Sequence, residues 1–220
     1  MNLRSLPLFP LGAVLYPDGL LSLQVFEVRY LDMIGRCHKT GAPFGVVLLT
    51  EGTEVRQPSH RHSSSAGDGF AHQAFNTMGT LARITEFAAP QAGLLVIQCT
   101  GVQRFLIERR EKLKHGLWVA DVNLMAADQT VSIPPDLQGI AIALRNLLSS
   151  LQARQAAVDG GGAMPVNQPY QFGDCAWVSN RWCELLPIPP DLKQRMLELD
   201  NPLVRLELVG DILARTGIAT

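Results

Sequence analysis

An excess of charge of either sign is the first thing this chain lacks. Nineteen Lys and Arg stand against twenty Asp and Glu, a formal net charge of −1. That balance argues against electrostatic capture by a phosphate backbone. Long apolar runs are also missing. Pro7, Pro10, Pro17 and Asp18 break up the hydrophobic stretches near the start, so none reaches the ~18–20 residues that span a bilayer. The positively charged start and small-residue cleavage site of a secretory signal are absent too, and the chain reads as cytoplasmic, with no membrane partner. Cys37, Cys99, Cys175 and Cys183 have no close-paired spacing and are expected as buried thiols.

Lysine is scarce, and none of Lys39, Lys112, Lys114 and Lys193 follows a glycine. A phosphate-cradling loop needs glycine amides around the phosphates and a Lys followed by Ser or Thr. Gly160, Gly161 and Gly162 have no lysine beside them and read as linker. No serine sits in a G-x-S-x-G elbow, and a serine nucleophile needs a base within reach. His60 and His62 flank Arg61 in a polar stretch, with His72 nearby; that falls short of the three or four fixed ligands of a structural or catalytic metal site. The reading is therefore no catalytic residue, no cofactor and no metal.

What is present is a globular composition, 47% hydrophobic and 18% charged over 220 residues, enough to bury a sizeable core. Leu21, Leu23 and Val25 alternate with Ser22 and Gln24, the period of a strand with one buried face. Pro17-Asp18-Gly19 before them forms a turn, with Gly19 free to take a positive φ. After Val25 the period becomes helical, through Phe26, Tyr30, Met33 or Ile34, and Cys37. Arg29, Asp32 and Arg36 share another face. Residues 43–49 read as a buried strand, and residues 52–69 (GTEVRQPSHRHSSSAGDG) as a long polar loop. Short strands at about ten-residue spacing follow to Met125, with Leu94 to Cys99 buried on both faces and Gly101 at a bend or bulge.

From Ala126 the pattern is helical. Helices are expected after Pro134-Pro135-Asp136, from Cys175 to before Pro187, after Pro189-Pro190-Asp191, and from the Asn201-Pro202 cap to Gly217. Two parts are thus expected, residues 1–125 and 126–220.

Several motifs recur in an order that carries a resemblance. LPLFPLG (6–12), FE-x-RY (26–30), FGVVLL (44–49), GTLARI (79–84), G-x-x-RF at Gly101, Arg104 and Phe105, and ELLPIPPDLKQRMLEL (184–199) resemble the amino-terminal domain of the LON protease family. The likeness does not extend to that family's ATPase or Ser-Lys protease segments. It implies an α+β fold, a PUA-like antiparallel β-barrel with one inserted helix and then an α-helical subdomain. It also implies a stand-alone, non-enzymatic module that binds unfolded or partner polypeptide, with no surface located. Phe26, Glu27, Arg29, Tyr30, Gly79, Gly101, Arg104 and Phe105 are the motif residues, expected to be structural.

Glu27 and Arg29 at i, i+2 of a helix would not face each other, which tells against a joint acid/base role. Glu27 is expected to cap the helix start and, because both lie in motifs of the resemblance, to pair with Arg104. Trp182 is expected in the core, and Trp177 in the core or at an interface. Two alternatives stand: an RNA-binding PUA-like module using Arg109, Arg110, Lys112, Lys114 and His115, where Glu108 and Glu111 interleave, or a binder of an unidentified small molecule.

Overall fold

The computed structural model describes residues 2–52, 73–156 and 164–217. The expected 52–69 loop, apart from Gly52, and the histidines at 60, 62 and 72 lie outside the described residues, as does much of the 159–169 connection. The chain forms two compact units, Met1–Ala126 and Ala127–Thr220.

The first unit contains β1 (Asn2–Leu11), β2 (Leu20–Val25), α1 (Val28–Thr40), β3 (Phe44–Glu51), β4 (Ala74–Gln91), β5 (Leu94–Lys112) and β6 (Trp118–Leu124). Ladders run β1–β3–β4–β5–β6 and return from β6 to β1, closing a ring of strands as the barrel expectation requires. All are antiparallel except β1–β3, which is parallel. Parallel neighbours need a long crossover, and β2 with α1 supplies it. β2 stands outside the ring and, among the described residues, pairs only with residues 95–100 of β5.

Where short strands were expected, β4 and β5 are 18 and 19 residues long. The far end of β4, past Ala82, pairs with β5 and only partly buries one face, so the apolar signal there is thin. Leu94–Cys99 likewise buries one face: Ile97 and Cys99 point in, while Val96 is exposed.

Two apolar clusters fill the ring. One gathers Leu6, Leu8, Val47, Phe75, Leu81, Phe105, Ala120 and Val122. Gly45 and Gly79 leave room for the Phe105 ring: a Cβ on either would come within 2.8 Å of its tip. The other cluster lies under α1, whose Tyr30, Met33, Ile34 and Cys37 meet Phe9, Val25, Phe44, Ile97 and Cys99. Burial pushes the Cys99 thiol up to about 12, with nearby Cys37 adding to the shift. α1 ends at Gly41 in the left-handed conformation, φ 68°, where glycine costs least.

The 12–19 segment crosses β5 at Gly101. Asp18 N donates to Gly101 O at 2.8 Å and Gly101 N donates to Gly19 O at 2.9 Å. In this turn Asp18, not Gly19, takes the positive φ, 61°. Gly19 already exchanges bonds at the strand entry, and Asp is among the few residues that tolerate that conformation.

The second unit holds a 3₁₀ turn (Pro135–Leu137), α2 (Gln138–Ala156), α3 (Cys175–Leu185), α4 (Pro190–Glu198) and α5 (Pro202–Thr216). Residues 175–183 of α3 are all buried, so α3 is the central helix. Trp177 and Trp182 are both core: Trp177 packs on Tyr170 and Phe172, and Trp182 Nε1 donates to Ile140 O at 3.0 Å. Asn201 caps α5 by accepting from Leu203 N, and Gly217 closes it at φ 72°. Buried Arg205 donates to Asp128 Oδ2 at 2.6 Å, Asn180 Oδ1 at 2.8 Å, and the Met196 and Leu199 carbonyls. That hub went unread, because single positions in separate helices carry no spacing signal.

Candidate functional site

The ring wall is not zipped everywhere. β6 pairs with β1 only as far as Leu8 and with β5 from Phe105 onward. Beyond that, β2 takes β6's place beside β5, yet among the described residues no ladder joins β1 to β2. Pro10 lies in the unzipped part of β1 and has no N–H to donate, which suits a strand with a partner on one side only.

A slot results, with a cavity of about 70 Å³ lined by Phe9, Leu11, Leu23, Gln24, Val25, Phe26, Glu27 and Tyr30. Its lining is mostly apolar. Two apolar side chains stand exposed at the β2–α1 junction beside it, Phe26 at 55% and Val28 at 74%. Phe26 therefore does not begin the buried helical stripe, as expected from its spacing, because the helix starts only at Val28. The sequence signal for this surface was Val28, an apolar residue off the Tyr30–Met33–Ile34–Cys37 stripe.

Behind the slot, Glu27 and Arg29 form an ion pair, Nε to Oε2 at 3.0 Å, with Arg29 almost fully buried. This overturns the expected Glu27–Arg104 pair. Glu27 is the residue before the helix and is extended (φ −76°, ψ 131°), so the helical i, i+2 geometry that would separate the two does not apply. Glu27 makes no side-chain capping bond. Arg29 is not on an exposed face with Asp32. Its Nη1 donates to Gly116 O at 2.8 Å, tying α1 to the β5–β6 hairpin. Its Nη2 is buried with no hydrogen-bond partner among the described residues. The guanidinium lies over the Tyr30 ring, 4.3 Å from its centroid, and Phe9 stacks on Tyr30 at 4.0 Å. Tyr30 thus contacts both the cation and the Phe9 ring at the slot wall, each contact of the kind worth ~0.5–2 kcal/mol.

The other motif residues lie elsewhere. Gly79 pairs with Phe105 across the β4–β5 ladder, and buried Arg104 lies opposite Thr80. Gly101 carries the 12–19 crossing.

The model of the ATP-dependent protease La (LON) substrate-binding domain matches residues 5–215. The chain belongs to the LON substrate-binding domain family. Among solved structures, it is similar to a Lon N-terminal domain protein from Xanthomonas campestris, with 29% identity, TM-score 0.65, and 94% of this chain and 97% of that one covered. The fold is also that of the N-terminal domain of Mycobacterium avium complex Lon protease, at 13% identity, TM-score 0.54 and the same coverages. No curated protein matches.

Within this LON domain Arg109 and Arg110 of the basic cluster are interleaved with acids. A cleft of about 170 Å³ at Ser5 places Arg109 and Arg110 among Glu111 and Asp121, with Val119 and Ala120. Arg110 donates to Phe75 O and lies over the Phe75 ring at 4.6 Å, while exposed Arg109 faces Glu111 at 4.0 Å. Both cavities are smaller than the ~300–1,000 Å³ that encloses a drug-sized ligand. Among the described residues no group of three or more His, Cys, Asp or Glu is placed to hold a metal, and no helix is long and apolar enough to cross a membrane.

Proposed function

We propose that this LON substrate-binding domain is a non-catalytic module that recognises unfolded or partner polypeptide, and that the slot between β1 and β2 is where it does so. The observation carrying this reading is the exposure of Phe26 and Val28 beside an apolar slot sized for one side chain. Large apolar side chains grouped beside a cavity mark contact surfaces more often than chance exposure does. A folded client hides its aliphatic side chains; an unfolded one offers them, which gives the module its selectivity.

The test is binding of one model protein in its permanently unfolded and its folded form. The expected result is micromolar binding of the unfolded form alone, weakened several-fold by Phe26→Ala. Binding of neither form at high micromolar concentration would refute the reading. Salt-sensitive retention on RNA, abolished by reversing charge at Arg109 and Arg110, would replace it with a nucleic-acid reading.

A further inference from the structure

We propose that the occupant of the slot binds as an added β-strand along the free edge of β2, with one aliphatic side chain in the cavity. The inference rests on the polypeptide-recognition reading and specifies the conformation and side-chain pattern of the bound segment. It begins from how sheet edges are treated in this chain. An edge strand presents alternate N–H and C=O groups to any extended chain, and proteins blunt that hazard with charges, prolines, bulges or a cover.

The far part of β4, beyond its pairing with β3 at Ala82, is guarded in this way. It carries Arg83, Glu86 and Pro90, and its ladder to β5 shifts register at Ile84/Glu86 and Ala88/Gln91. The unzipped part of β1, beyond its pairing with β6 at Leu8, is guarded as well, by Pro10. β2 has none of these devices. Its sequence, LLSLQV, contains no proline and no charge, and its six pairs with β5 run without a shift. An unguarded, regular edge beside an apolar slot is what strand addition requires.

Geometry then fixes the pattern of the guest. Successive side chains of a strand point to opposite faces. On β2, Leu21, Leu23 and Val25 turn toward the core side while Ser22 and Gln24 are exposed. A guest strand in register places every second side chain over the slot walls of Phe9, Leu11, Leu23 and Tyr30, and the remainder beside Ser22 and Gln24. The segment recognised is therefore extended, about six residues long to match β2, aliphatic at alternate positions and polar between. It has no proline at the residues that donate to β2. A helical ligand has no free backbone groups to offer this edge.

The probe is a fluorescent peptide of about eight residues, polar throughout apart from Val at alternate positions and one central Leu that fixes the register. Two further versions carry N-methyl groups, one set on the amides of odd residues and the other on even residues. Only one set faces β2, so strand addition predicts that one version binds about tenfold or more weakly, while the other stays within about threefold of the parent. Equal effects of the two sets, whether both tolerated or both abolishing, would overturn strand addition. Should unfolded protein still bind and Phe26→Ala still weaken it, the polypeptide reading survives that outcome. Loss of binding by unfolded protein and peptide alike defeats the reading itself. A dimer of the protein alone that saturating peptide does not dissociate assigns the edge to a second copy and overturns the proposal.

Discussion

The same substitution, glycine to alanine, should act in opposite directions at two positions of the first unit. At Gly101 a Cβ would lie 2.0 Å from Tyr16 O and 3.0 Å from the Tyr16 carbonyl carbon, both backbone atoms. An ordinary carbon–oxygen contact needs ~3.3 Å, so the 12–19 segment must retreat by more than about 1 Å. The two backbone bonds that hold it, 2.8 and 2.9 Å long, would stretch beyond useful hydrogen-bond length. Losing two such bonds costs about 2 kcal/mol and residual crowding about 1–2 more. The stiffer unfolded chain returns ~0.4–1 kcal/mol. The net expectation for Gly101→Ala is a loss of about 2–3.5 kcal/mol. Gly35, inside α1, has nothing within 4 Å of where its Cβ would stand, so Gly35→Ala should gain ~0.5–1 kcal/mol through helix propensity. Urea unfolding of both variants, followed by circular dichroism in the strand region, decides the matter. A Gly101→Ala cost under about 0.5 kcal/mol, or the same sign for both variants, would falsify the claim that the crossing requires a bare backbone.

Other perturbations test the remaining supports. Glu27→Ala leaves buried Arg29 without its 3.0 Å partner and should cost ~3 kcal/mol, while the double change with Arg29→Met should recover much of that loss, since no buried charge is left over; a double-mutant cycle with zero coupling refutes it. Phe105→Ala empties a site with no exposed surface and should cost ~3–5 kcal/mol in the same unfolding assay. In the second unit Asp174 accepts from both Trp177 N and Val131 N, whereas the Asn201 side chain accepts from Leu203 N; Asp174→Ala should therefore cost about 2 kcal/mol and Asn201→Ala about 1. Cys99, buried and held protonated, should resist iodoacetamide at about pH 8 until the protein unfolds. Because its folded value is raised, its contribution is fully present below the unfolded value of 9.0 and is lost as pH climbs toward about 12. A stability curve rising across that range in the wild type, compared with Cys99→Ala, would contradict the sign.

Much of the fold was legible because its signals are local. The strand at Leu21–Val25, the helix stripe of Tyr30, Met33, Ile34 and Cys37, and the Asn201-Pro202 and Gly217 ends of α5 each follow from spacing or cap chemistry within a few residues. Most misreadings arise where a residue's role is set by a neighbour far along the chain. The end of β4 past Ala82 lacks a strong apolar period because it leans on β5 with one face partly buried. Glu27 is the local exception, since the helix begins one residue later and its carboxylate turns to Arg29. The slot is invisible because its walls come from separate strands. Phe9 and Leu11 come from one strand and Leu23 and Val25 from another, and nothing in the sequence says that β6 stops pairing with β1 at Leu8.

Most residues that carry the family likeness are structural, though Phe26 of the FE-x-RY motif also belongs to the proposed contact surface. Gly79 and Phe105 fill the ring, Gly101 lets a segment cross it, and Glu27, Arg29 and Tyr30 brace the helix behind the slot. Each fixes backbone position, which is why these residues show as motifs of fixed type. The proposed contact surface is made of Phe26, Val28 and the edge of β2, where the chemistry asked for is apolar area and unpaired backbone. Many residues supply those equally well, so Val28 and the β2 edge leave little trace as a motif, while Phe26 lies within FE-x-RY. Swapping Phe26 for Leu should therefore preserve polypeptide binding within a few-fold, while Phe26→Asp abolishes it with stability unchanged within about 0.5 kcal/mol, as for an exposed position. If Leu and Asp instead behaved alike, apolar area at the slot mouth would not be what the module uses.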